Sequence, residues 1–182
     1  DASNVEAIYR TQYSVEDANA ILTENGKPEL SYFDATNENK YQLDMTGAWS
    51  AQAAMEYMQT NLASYSEANG NMIELIICNN DNMAEGCITA LQAAGYNNGE
   101  GTTTIPVFGV DATDSAQQLI AAGTMTGTIK QDAEGMAECI ALLASNVMNG
   151  EDLMANTDSY TKDTANNLDN KIFIPYQEYT GQ

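Results

Sequence analysis

The run Met72-Ile-Glu-Leu-Ile-Ile-Cys78 constrains the fold more than any other feature of the sequence. Nearly every position is apolar, so the strand it predicts must be covered on both faces, as in a parallel sheet held between helical layers. The flanking segments alternate in kind. Residues 3–24 place Val5, Ile8, Val15, Ala18, Ile21 and Leu22 on one helical face, and Asn25-Gly26 with Pro28 ends that helix. A short strand is predicted over 29–35, a polar loop over 36–47, and a second helix from an N-cap at Ser50 to Tyr65, with Ala54, Met55, Met58 and Leu62 inward. Asn79–Asn82 opens a helix that Gly95 closes. Further on come a strand over 105–110, a short helix with Leu119 and Ile120, a strand over 127–131, a helix over 132–149, a polar loop over 150–170 and a last strand over 171–178. Strands separated by helices imply βαβ units and an α/β fold, a doubly wound parallel sheet in three α/β/α layers.

Composition narrows the function. A length of 182 residues suits one domain or part of a larger two-lobed protein, and 43% hydrophobic residues suffice for a packed core. Six basic against 26 acidic residues give a net charge of -20, a field that repels phosphate backbones and anionic membrane surfaces, so no nucleic-acid partner is expected. Histidine is absent, which excludes Ser-His and Cys-His catalysis and His metal sites. Cys78, Cys87 and Cys139 are odd in number and form no C-x-x-C; they read as small buried thiols, with a single pairing left open. Residues 1–182 show no signal-peptide pattern, which says nothing about location, and no apolar run nears the roughly 18 residues of a membrane span. The abrupt start at Asp1 raises the expectation that an upstream segment has been removed.

In doubly wound sheets ligands bind beyond the carboxyl ends of the strands. That rule selects Asn80 and Asp81 after one strand, Asp111 after the next and Gln131 after a third. Arg10 is the sole arginine and Trp49 the sole tryptophan. Together these groups suit a neutral polyhydroxylated ring: carboxylates accept from hydroxyls, amides do both, a guanidinium donates in a fork, and an indole stacks on the C–H face. Structural readings stand beside this one, with Asn80 and Asp81 as helix caps, Arg10 in a surface ion pair and Trp49 as packing. Asp81 and Asp111 as a glycosidase pair would need one raised pKa, which nothing nearby in sequence predicts. There is no G-x-G-x-x-G, Walker loop or EF-hand pattern. Glu74, inside the apolar run, is costly unless paired, ligated or at an edge.

The stretches Cys78-Asn-Asn-Asp-Asn-Met-Ala-Glu-Gly86, Ile105-Pro-Val-Phe-Gly-Val-Asp-Ala112, Gly127-Thr-Ile-Lys-Gln-Asp-Ala133 and Asn170-Lys-Ile-Phe-Ile-Pro-Tyr176 resemble the C-terminal lobe of glucose/galactose-binding proteins. These are type I periplasmic solute-binding proteins of ABC transporters. Arg10-Thr-Gln-Tyr13 and Leu43-Asp-Met-Thr-Gly-Ala-Trp49 fit in the same order, so the resemblance spans nearly the whole chain. It implies that Arg10, Asn80 and Asp111 bond sugar hydroxyls and that Trp49 stacks on the ring. Gln131, Glu6 and Asn4 stand where the glucose/galactose members carry Asn, Asp and His, which leaves the sugar's identity open. Glu74 matches a carboxylate that completes a calcium site; the rest of that site is expected upstream of Asp1, so Glu74 is a remnant and calcium is expected only in a full-length parent.

The resemblance also divides the chain. Residues 1–131 would form the sugar-binding C-terminal lobe, 132–170 a helix and loop of the N-terminal lobe, and 171–182 a returning strand. Relatives carry a further strand just before the position of residue 1, central in this lobe's sheet. Met136, Ile140, Leu142, Leu143 and Met148 are therefore expected to need cover from the missing N-terminal lobe or from a swapped copy. The implied function is binding of a glucose- or galactose-type monosaccharide outside the cytoplasm, in the periplasm or as a cell-surface lipoprotein, for an ABC permease, without catalysis or organic cofactor. Two other readings are a carboxylate-driven hydrolase, disfavoured by the absent His, and the effector-binding core of a lactose-repressor-type transcription repressor, which needs a basic helix-turn-helix upstream.

Overall fold

A computed structural model describes residues 3–163 and 168–181. The helices are α1 Val5–Glu24, α2 Ala51–Ser64, α3 Asp81–Ala93, α4 Asp114–Ala121 and α5 Ala133–Met148. The strands are β1 Ile76–Ile77, β2 Val107–Val110, β3 Gly127–Lys130, β4 Thr161–Asp163, β5 Leu168–Phe173 and β6 Gln177–Tyr179. One sheet has the order β1-β2-β3-β6, and β4 pairs with β5. In the first sheet β1 and β2 run parallel, with Ile76 opposite Val107 and Ile77 opposite Phe108. The chain divides into two compact units, Asp1–Thr128 with Tyr179–Gln182, and Ile129–Glu178.

The first unit is built around α3. Ala84, Ile88 and Leu91 on its inner face pack with Val107 of β2, Met58 of α2, and Ala116 and Ile120 of α4. The helices start where side-chain oxygens accept otherwise unpaired N–H groups: Ser50 from Ala53 at 3.3 Å, Asn80 from Met83 at 2.9 Å and Thr113 from Ala116 at 3.2 Å. α2 and α3 approach so closely that a Cβ on Gly86 would run into the backbone carbonyl of Ala51. That contact explains a glycine in the middle of a helix, where its entropy cost would otherwise disfavour it.

Two expected strands are changed. Residues 29–35 form no strand, and the 72–78 strand shrinks to Ile76–Ile77. The physical reason is a missing neighbour. Ile76 N donates to Pro106 O and Cys78 N to Phe108 O, both at 2.9 Å, so the 72–78 segment is laddered on its β2 side only. Leu30 N donates instead to the side-chain oxygen of Asn19, at 2.7 Å. A trough of about 2060 Å³ opens onto both extended segments and is walled by Ala7, Thr11 and Val15 of α1 and by Ala54, Tyr57 and Met58 of α2. Strands hydrogen-bond only at a spacing of about 4.8 Å, and neither segment has a partner on the trough side. For the same reason α1 is amphipathic yet has no fully buried residue.

In the second unit α5 buries Cys139 and Asn146. The Asn146 amide donates to Leu153 O at 3.0 Å and to Ala155 O at 2.7 Å, which folds the segment after α5 back against it. The loop expected over 150–170 therefore gives way to β4 and the start of β5, an antiparallel pair in which Lys162 faces Ile172; residues 164–167 of that expected loop lie outside the described residues. Lys171 secures the pair through Asp163, 2.9 Å away. The single last strand expected over 171–178 is broken between Phe173 and Gln177, around Pro175, whose nitrogen has no hydrogen to donate to a ladder. Met136, Leu142 and Leu143 are half-buried, while Ile140 and Met148 are 67% and 86% exposed. No helix among the described residues is long and apolar enough to cross a membrane.

Candidate functional site

The parallel pairing of β1 and β2 brings their carboxyl ends to one rim of the first unit. β1 runs into Asn79 and Asn80, and the two amides do different work. Asn80 caps α3 through Oδ1 and donates Nδ2 to Trp49 O at 3.3 Å, tying the start of α3 to the entrance of α2. Asn79 reaches the other way, bonding Thr11 Oγ1 at 3.0 Å and Ala7 O at 3.3 Å, and so holds α1 to the strand end.

Arg10 crosses this junction. Its Nη1 donates to Asn79 O at 2.9 Å, its Nη2 lies 3.9 Å from Glu6, and its guanidinium carbon sits 5.6 Å from the centre of the Trp49 ring, within cation–π range. The side chain is 17% exposed, and its Nε–H is buried with no acceptor. Such a donor is expensive unless something brings an acceptor to it.

Trp49 is presented by a turn that Asp44 organises. The buried Asp44 carboxylate accepts from Thr46 Oγ1 at 2.6 Å, Thr46 N at 2.8 Å and Ser50 N at 2.9 Å. These bonds, the Thr46 hydroxyl foremost, hold its pKa below the usual carboxylate range. Trp49 itself sits at φ 56°, in the left-handed region that side chains disfavour. Asp111, just past β2, has φ 124°, and Ala112 has φ 54°. Backbone outliers of this kind cost on the order of 1–3 kcal/mol each, and they gather where function over-determines the chain.

Asp81 takes a role opposite to that of a rim group. It is fully buried; Oδ1 accepts from Thr128 Oγ1 at 2.6 Å and Oδ2 from Thr113 N at 2.8 Å, so it latches α3 to the N-cap of α4 and to β3. Burial pushes its pKa up, against the pull of those two bonds. The raised acid that a glycosidase would need is thus present, but it is enclosed and faces threonines rather than solvent.

The other sequence-selected residues scatter more. Asn4 is the N-cap of α1, with Oδ1 accepting from Ala7 N at 2.9 Å. Glu6 lies in the first turn of α1, 64% exposed. Gln131 follows β3 in the second unit, with its carbonyl accepting from Ala133 N. Glu74 is exposed on an extended segment, not sealed within a strand, so it carries no burial cost. Among the described residues no three His, Cys, Asp or Glu side chains come together as metal ligands, so Glu74 belongs to no such group. Arg10, Trp49 and Asn80 are therefore linked by direct contacts, with Asp111 at the neighbouring strand end. Sequence reasoning passed over Asn79 and Asp44. For Asp44 a signal existed in Asp44-x-Thr46, the spacing of an Asx turn.

The rim at the parallel strand ends thus gathers an arginine edge, an indole and amides. Residues 6–152 match the periplasmic binding protein domain family, and the chain belongs to that family. It is 32% identical over 171 residues to the D-galactose/methyl-galactoside binding periplasmic protein MglB of Haemophilus influenzae, covering 94% of this chain and 43% of that protein. It is 29% identical over 143 residues to the D-xylose-binding periplasmic protein of Escherichia coli, 78% of this chain and 41% of that one. Among solved structures, an ABC transporter solute binding protein from Clostridium phytofermentans with bound β-D-glucose superimposes with a TM-score of 0.62 at 20% identity, over 93% of this chain and 50% of that one. The fold is accordingly the type I periplasmic-binding-protein fold, three layers with a mixed, mainly parallel sheet. The chain spans less than half the length of the two curated relatives.

Proposed function

We propose that residues 1–182 form the ligand-contacting C-terminal part of an extracytoplasmic solute-binding protein that delivers a monosaccharide, of the glucose or galactose type, to an ABC permease. The observation that carries this is the Arg10–Trp49 pair fixed by Asn79 and Asn80: a nearly buried guanidinium edge with one unpaired N–H, beside an aromatic face, at a strand-end rim. A pyranose hydroxyl supplies the acceptor that Arg10 Nε lacks, and the indole covers the ring's C–H face. Asp111, Asn4 and Glu6 are the further polar contacts of the first unit in this reading. No bond is made or broken, since the acid with a raised pKa, Asp81, is walled off from any substrate. A second lobe, supplied by the rest of the same protein or by a swapped copy, closes over the sugar, and the ligand stabilises the closed form through contacts to both. Titration calorimetry on the full-length parent with galactose, glucose and xylose tests the proposal. Binding of at least one without turnover is expected; no heat with any, or hydrolysis of a chromogenic galactoside, overturns it.

A further inference from the structure

We propose that Cys78 and Cys87 form a dithiol site, poised for conversion to an intramolecular disulfide by a small disulfide oxidant such as cystine or oxidised glutathione. Their sulfurs are 3.8 Å apart. A disulfide bond is about 2.05 Å, so closure brings the two sulfurs closer by about 1.8 Å. The two positions differ in access. Both line the trough, but Cys78, at the end of β1, is half-buried, whereas Cys87, in the second turn of α3, is buried, with its sulfur also 3.9 Å from Ala54 O. Cys139 belongs to the second unit and has no part in the pair.

The accessible thiol acts first. The Cys78 thiolate attacks one sulfur of the oxidant, whose S–S bond breaks, and one thiol leaves with a proton. Cys87 then loses its proton, attacks Cys78 Sγ and expels the second thiol. Two cysteines are oxidised and one external disulfide is reduced to two thiols. The hydrogen bond to Cys87, burial and the neighbouring Asp81 all push the Cys78 thiol up, so the first attack is slow at neutral pH. The bridge would close a short loop containing Asn79 and Asn80, the two amides that anchor Arg10 and Trp49.

The test is thiol mapping of the 182-residue chain after native incubation with oxidised glutathione. Trypsin leaves Cys78 and Cys87 together on residues 41–130 and Cys139 on residues 131–162. The expected result is that 41–130 loses two hydrogens in mass and resists alkylation while 131–162 stays alkylatable, so the alkylatable thiols of this region fall from three to one. C87S should accumulate the glutathione adduct on Cys78. Stable adduct on the wild-type protein, disulfide-linked dimers, or a 41–130 peptide that still takes two alkyl groups would overturn the proposal, and the wild-type mapping decides it even where C87S fails to fold.

Discussion

At the residue scale Arg10 carries the argument. One of its donors is spent on Asn79 O, another is held loosely toward Glu6, and the buried Nε–H has no acceptor. Lysine keeps the charge but loses the fork. Hydrogen bonds to charged groups contribute about 1.5–3 kcal/mol, so R10K should weaken sugar binding about 10- to 100-fold in calorimetry on the full-length protein. Unchanged affinity would remove Arg10 from the site. Asp44 is tested through pH. Its folded pKa is lowered, so its contribution is complete above the unfolded value near 4 and is lost as pH falls through the lower folded value. D44N, which cannot accept all three bonds, should lower stability by about 1–2 kcal/mol in urea unfolding at pH 7, with the difference shrinking towards pH 3. Asp81 has the opposite sign: its pKa is raised, so its contribution is complete below the unfolded value and falls away as pH rises through the folded one. Arg10 and Trp49 stood out in the sequence because each is the sole residue of its type, one within the first helix and the other just before the second. Asp81 was not, because its partner Thr128 lies 47 residues away and only the folded sheet brings the two together.

At the element scale, the helices were legible and the strands less so. A helix satisfies its own backbone, so apolar periodicity and a cap residue locate it, as at Ser50 and Asn80. A strand exists only beside another strand. Residues 29–35 and 72–75 have the composition of strands yet form none, because no strand among the described residues pairs with them on the trough side. β4 went unseen for the converse reason: Thr161–Asp163 is polar, and it pairs through β5 rather than through any pattern of its own. Gly86 tests the tightest helix contact. Alanine normally favours a helix over glycine by about 1 kcal/mol, yet here its methyl group would meet the Ala51 carbonyl. Overpacking of a core costs about 1–3 kcal/mol, so G86A should lower the thermal midpoint, and a rise would show that α2 and α3 can separate without cost.

At the scale of the whole molecule, two apolar surfaces stand open, one in each unit: the trough lined by Ile8, Val15, Ile73 and Ile77, and the outer face of α5 with Ile140 and Met148. Monomeric proteins rarely leave such patches uncovered. In the proposed function the remainder of the longer protein covers them, and a second copy is the nearest substitute when that remainder is absent. The 182-residue chain alone should then bind the dye ANS and associate with rising concentration, while the full-length protein does neither. Charge separates this from electrostatic association. At a net charge of -20 two copies repel each other, and the repulsion is screened within about 8 Å at physiological salt. Association driven by apolar cover should therefore strengthen as salt is raised, because salt removes the repulsion and leaves the hydrophobic term intact. Sedimentation velocity in low and in high salt reads this directly. A 182-residue chain that stays monomeric and silent to ANS under both conditions would mean that the trough closes on itself and needs no partner.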